Sequence, residues 1–125
     1  MSPDPDAVLA RLREICLALP RTTEKVSHGM PVFFIEKGKT FAWFSRDHHG
    51  SGIMAVIVKC SGLDEQAMLV EADLDLYYRP PYFGPSGWIG IRLDGDAVDW
   101  DHVADRVATS WELVAPKRLL EMGGR

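Results

Sequence analysis

Basic charge, cysteine and long apolar runs are all scarce in this chain of 125 residues, and each scarcity removes a class of protein. Fourteen Lys and Arg face eighteen Asp and Glu, a net charge of −4 with a pI near 5.5. A uniformly basic domain that attracts phosphates without sequence preference is therefore excluded. The two cysteines, Cys16 and Cys60, sit inside apolar patterns with no CxxC spacing. They read as buried free thiols in a reducing compartment, not as a disulfide framework or a zinc knuckle. The longest aliphatic run, Ile53 to Val58, is too short to span a bilayer, and the acidic Ser2-Pro3-Asp4-Pro5-Asp6 start is unlike a signal peptide. The expectation is a cytoplasmic protein with no membrane association. No repeat or linker divides the chain, so residues 1–125 are expected to form one domain, monomeric by default.

What is present is enough for a core. Hydrophobic residues make up 46% and charged residues 26%, inside the globular range. Asp4-Pro5 followed by Val8, Leu12, Ile15 and Leu19 predicts a capped amphipathic helix stopped by Pro20. Residues 22–29 have no regular pattern. Val32 to Ile35, Thr40 to Phe44 and Ile53 to Val58 predict three consecutive antiparallel strands, the third apolar on both faces and so central. Ser61-Gly62-Leu63-Asp64 has capping-box form before a short helix. Trp88 to Leu93 predicts a fourth strand, Asp99 a helix with Trp100, Val103, Val107 and Trp111 on one face, and Lys117 to Met122 a last helical turn. The order is that of an α+β protein, an antiparallel sheet with helices.

Charge is uneven along the chain. Residues 11–59 carry eight Lys and Arg against four acids, whereas residues 60–105 carry only Arg79 and Arg92 against ten. Between Tyr77 and Trp88, prolines at 80, 81 and 85 oppose strand and helix, yet Tyr78, Tyr82 and Phe83 are present. Such a segment either lies over a sheet face as a lid or offers stacking groups beside Arg79, and both hold when the rings pack while their polar tips stay wet.

Catalytic and metal motifs fail when tested. Gly84-Pro85-Ser86-Gly87-Trp88 lacks the second glycine of a serine nucleophile elbow, and a strand follows it. His28, His48 and His49 have no partners at zinc spacing. Asp94-Gly95-Asp96-Ala97-Val98-Asp99 departs from the EF-hand order. No nucleophile pairs with a base, so the expectation is a non-enzymatic binding protein without cofactor or metal.

The ordered landmarks "ICLALP", "TTEKVSHGMPVFFIEKGKTFAWF", "FGPSGWIGIRLDGD" and "VDWDHVADRVATSWELVAPKRL" resemble the MmcQ/YjbR-like family of small bacterial proteins over nearly the whole chain. The resemblance implies a frataxin/CyaY-like fold, an antiparallel sheet with helices packed on one face. It also implies DNA binding through a double-winged shape whose hairpins project loops. By position those wings are Glu36 to Lys39, with Lys37 and Lys39, and Arg46 to Gly52, with Arg46, His48 and His49; Lys25 joins them as a phosphate contact. Where relatives place basic residues before the tryptophan, this chain has Pro85-Ser86-Gly87. The iron binding that the frataxin likeness suggests finds no acidic first helix, since Arg11 and Arg13 stand beside Glu14. The alternative is a small-ligand or protein-recognition module whose cleft joins residues 27–31 to 79–88, lined by His28, Arg79, Tyr82, Ser86 and Trp88.

Overall fold

The computed structural model describes residues 4–46, 53–95 and 97–121. Helix α1, Pro5–Leu17, starts where the sequence predicts: the Asp4 carboxylate accepts the Asp6 N–H, and Pro5 occupies the first turn. Its buried stripe is Val8, Leu12 and Cys16. Strands β1 (Thr22–Ser27), β2 (Met30–Ile35), β3 (Thr40–Arg46) and β4 (Met54–Lys59) follow, then α2 (Leu63–Ala72), β5 (Tyr77–Tyr78), a 3-10 turn at Gly84–Ser86, β6 (Trp88–Arg92), α3 (Trp100–Val114) and α4 (Lys117–Glu121).

The strands form one antiparallel sheet in the order β1-β2-β3-β4-β6-β5. β4 is central and buried on both faces from Met54 to Val58, as its unbroken apolar run requires. One face carries Phe33, Ile35, Ala42, Phe44, Val56, Val58, Ile89 and Ile91 against Val8, Leu12 and Cys16 of α1 and Val103, Val107 and Trp111 of α3. Each large aliphatic side chain buried there contributes about 2 kcal/mol by leaving water.

Strand β1 corrects the irregular reading of residues 22–29. It is an edge strand with no buried residue, so it lacks the apolar alternation that would announce it. What makes it is the two-residue turn to β2: His28 and Gly29 have φ of 53° and 78°, the positive pair that a tight hairpin needs. The pairing runs from Ser27 opposite Met30 to Thr22 opposite Ile35. A second correction concerns α2, whose cap position is Gly62 without a side-chain bond. Half of the expected capping box remains, displaced by one residue: the Glu65 carboxylate accepts the Ser61 N–H at 2.9 Å.

Three polar ties fix the layers. The Ser110 hydroxyl accepts the Lys59 N–H at 2.9 Å and donates to the Phe41 carbonyl at 2.6 Å, inserting α3 where the β3–β4 ladder would next pair those two backbones. The Trp111 indole N–H donates to the Pro20 carbonyl at 3.0 Å, anchoring the link between α1 and β1. Arg13 of α1 holds Glu24 of β1 through two bonds, at 2.6 and 2.8 Å.

Candidate functional site

Cross-strand register determines what the other face of the sheet offers. Val32, Trp43, Ile57, Gly90 and Tyr78 stand opposite one another across five strands and share that face. Lys25 lies opposite Val32 and Lys59 opposite Trp88, and Phe34 and Arg92 come two residues along from Val32 and Gly90. No described helix contributes to this row, whereas Glu24, one residue from Lys25, points to α1. Phe34, Trp43, Tyr78 and Trp88 are half-buried. The strand positions of this face include Lys25, Lys59 and Arg92 and no carboxylate. A chain of net charge −4 thus has a cationic and aromatic sheet face, because its acids lie on the helices, the turns and, as Glu24, the opposite side of β1.

Local contacts shape the surface. The Lys25 ammonium lies 4.7 Å from the centre of the Phe34 ring, and the Arg92 guanidinium 5.9 Å from that of Tyr78. Gly90 is glycine because the Tyr78 ring occupies the space a Cβ would take. Burial raises the Tyr78 phenol above its ordinary value, partly offset by Arg92. Two buried N–H groups on this face, Trp43 Nε1 and Arg92 Nε, have no acceptor among the described residues. A buried donor left so costs about 1–3 kcal/mol, and Arg106 Nε of α3, away from this face, is in the same position.

Residues 79–87 form the rim. Phe83 packs edge-on against Trp43, centroids 5.0 Å apart, and against Trp88 at 6.3 Å, while Tyr82 next to it is 79% exposed with φ of 68°. The segment is thus both lid and projection, one ring in and one out. Buried Gln66 of α2 holds it there: its amide nitrogen donates to the carbonyls of Gly84 at 2.8 Å and Trp88 at 2.6 Å, and its oxygen accepts from Arg79 Nε at 3.3 Å. Sequence reasoning missed Gln66. The available signal was a glutamine at a buried helical position, since a polar group there needs a fixed set of partners.

The structure sorts the residues singled out above. Lys25 lies on the helix-free face. Lys37 and Lys39 lie in the β2–β3 turn at one end of the sheet, and Arg46 ends β3 at the other, roughly 20 Å away along a strand of this length. Lys37 and Lys39 therefore do not converge with Arg46. His48 and His49 fall outside the described residues. Arg79, Tyr82, Ser86 and Trp88 stay together on the rim. The cleft that was to join them to His28 is not formed by those segments: residues 28–29 link β1 and β2 at one sheet edge, while 79–87 link β5 and β6 at the opposite edge. Gly29, Met30 and Pro31 instead line a hollow of about 230 Å³ with Pro5, Asp6, Leu9, Phe44 and Arg46.

Outside this face, the Tyr77 phenol and His102 Nε2 share a hydrogen bond, and burial holds that phenol above its ordinary value. Cys16 and Cys60 are free and buried, and burial raises both thiols, which makes them poor nucleophiles. Among the described residues no group of three or more His, Cys, Asp or Glu is placed to hold a metal ion. No described helix is long and apolar enough to cross a membrane.

The fold has a solved counterpart. The chain is similar to the crystal structure of the Deinococcus radiodurans protein DR2400, described as a DUF419 domain, with a TM-score of 0.73 and 20% identity over 94% of this chain and 88% of that one. No curated protein matches. A family profile described as YjbR matches residues 17–113, from the end of α1 to the last turn of α3, and so takes in every strand. The chain belongs to the YjbR family.

Proposed function

We propose that the helix-free sheet face binds single-stranded DNA, with rings stacking on bases and Lys25, Lys59 and Arg92 meeting phosphates. The observation that carries this reading is the half-buried aromatic row flanked by cations, with no carboxylate at its strand positions. Single strands are recognised by such surfaces, since every base has a face to stack and a backbone to neutralise. A sheet face also suits a splayed strand better than a duplex groove, which requires a projecting element. Lys37 and Lys39 extend the cationic region past one end of the sheet.

Fluorescence anisotropy of a labelled oligothymidine and of the matching duplex, at low and moderate salt, tests the reading. It predicts tighter binding of the single strand and weaker binding in Trp43→Ala and Lys25→Ala. Equal affinity for both forms, or no loss in either variant, would overturn it. The same rim could instead seat a protein, an alternative favoured by exposed Tyr82 beside Arg79, residue types that dominate protein hot spots.

A further inference from the structure

A second cationic feature lies away from the aromatic row, where the link between α1 and β1, the β2–β3 turn and α4 meet. Arg21, Lys37 and Arg118 line one hollow of about 430 Å³ with Glu36, Ile35, Pro116 and Leu119. Three positive side chains from three separate segments thus surround a floor made of two buried aliphatic residues and a proline. None of the three cations forms an ion pair among the described residues. Like charges gathered around a concave site repel one another, and a bound anion removes that repulsion.

The hollow is built before any ligand arrives. The Glu36 N–H donates to the Arg21 carbonyl at 2.7 Å, tying two of its walls together, and the Trp111 indole holds the carbonyl of Pro20, one residue earlier. Arg21 and Lys37 both take left-handed backbone, with φ of 57° and 59°. For a side chain with a Cβ this conformation costs roughly 1 kcal/mol, and such strain persists only where surrounding structure imposes it.

We propose that this hollow binds a phosphate monoester, its phosphate held by Arg21, Lys37 and Arg118 and its organic part lying on Ile35, Pro116 and Leu119. Two guanidinium groups offer the planar pairs of N–H donors that match phosphate oxygens, and the lysine adds a point charge. The volume is in the range of small-molecule sites and exceeds what a bare phosphate fills. Glu36, the one carboxylate of the lining, stands where a ligand hydroxyl would find an acceptor. The site shares Lys37 with the cationic region of the DNA reading but none of the aromatic-row residues, so it stands without that reading.

Titration calorimetry with adenosine monophosphate and with adenosine, on the wild type and on Lys37→Gly and Arg118→Gln, tests this. Lys37→Gly deletes the charge while relieving the left-handed strain, so loss of fold is not the expected outcome. The nucleotide should bind, adenosine should not, and each variant should weaken the nucleotide by about tenfold, the scale of one charge-assisted bond. Trp43→Ala should leave this binding unchanged. A free ester and the terminal phosphate of a nucleic acid share this chemistry, and 5′-phosphorylated and 5′-hydroxyl oligothymidines separate them. A gain from the 5′-phosphate that Arg118→Gln abolishes identifies the strand end, and no gain identifies the free ester. Equal binding of nucleotide and nucleoside, absence of nucleotide binding, or full affinity in both variants would overturn the proposal.

Discussion

Single side chains in this protein join segments far apart in sequence. Ser110 is the sharpest case, since its hydroxyl replaces one rung of the β3–β4 ladder with a bridge to α3. Ser110→Ala leaves the Lys59 N–H and the Phe41 carbonyl without that partner at a fully buried position, so urea unfolding should show a loss of about 1–3 kcal/mol. Glu65 makes a second tie, accepting from the Ser61 N–H and from Arg106 of α3 at 3.2 Å. The Ser61 bond, followed by Arg106, holds its carboxyl below the usual 4.5. A depressed folded value stabilises the protein above the unfolded value, and that contribution disappears as pH falls through the folded one. Glu65→Gln should therefore be less stable at pH 7, with the gap to wild type closing below about pH 4.5. A gap that widens on acidification would show that Glu65 is not held as an anion.

The elements differ in how far the chain announces them, and the reason is which face each one buries. α1, α3 and β4 were legible because apolar residues recur at helical spacing or fill both strand faces. β1 was not, because an edge strand with only half-buried and exposed residues owes its place to β2 and to the His28-Gly29 turn. Its signal was the turn with Thr22, Thr23 and Val26 before it, a weaker cue than periodicity. The aromatic row was half legible: Tyr78 and Trp88 stood out, but only cross-strand register shows that Trp43, Lys25, Lys59 and Arg92 share their side of the sheet. The supposed cleft between residues 27–31 and 79–88 failed for the same reason, since strand order places those segments at opposite edges. Residues 79–87 depend on α2 through Gln66. Gln66→Ala should speed amide hydrogen exchange at Gly84, Ser86 and Gly87 relative to β4, while α1 and α3 exchange as before. Unchanged exchange in that segment would mean that Phe83 packing alone retains it.

At the scale of the molecule, the fold separates charge that composition hides. Acids dominate α2, the turn at residues 73–75 and the first half of α3, while the helix-free face and the sheet end near Lys37 hold cations. An acidic protein can in this way present a positive surface of limited area, which steers an anionic partner to one side. The YjbR fold positions that surface, and its chemistry comes from what the strands place on it.

The measurement that bears most directly on the sheet-face reading is the salt dependence of oligothymidine binding. Three phosphate-contacting cations predict a slope of log K against log salt concentration of about −2, reduced by roughly 0.7 in Lys25→Ala and unchanged, at lower affinity, in Trp43→Ala. A slope near zero, or one that Lys25→Ala leaves intact, would contradict the assignment of DNA to this face.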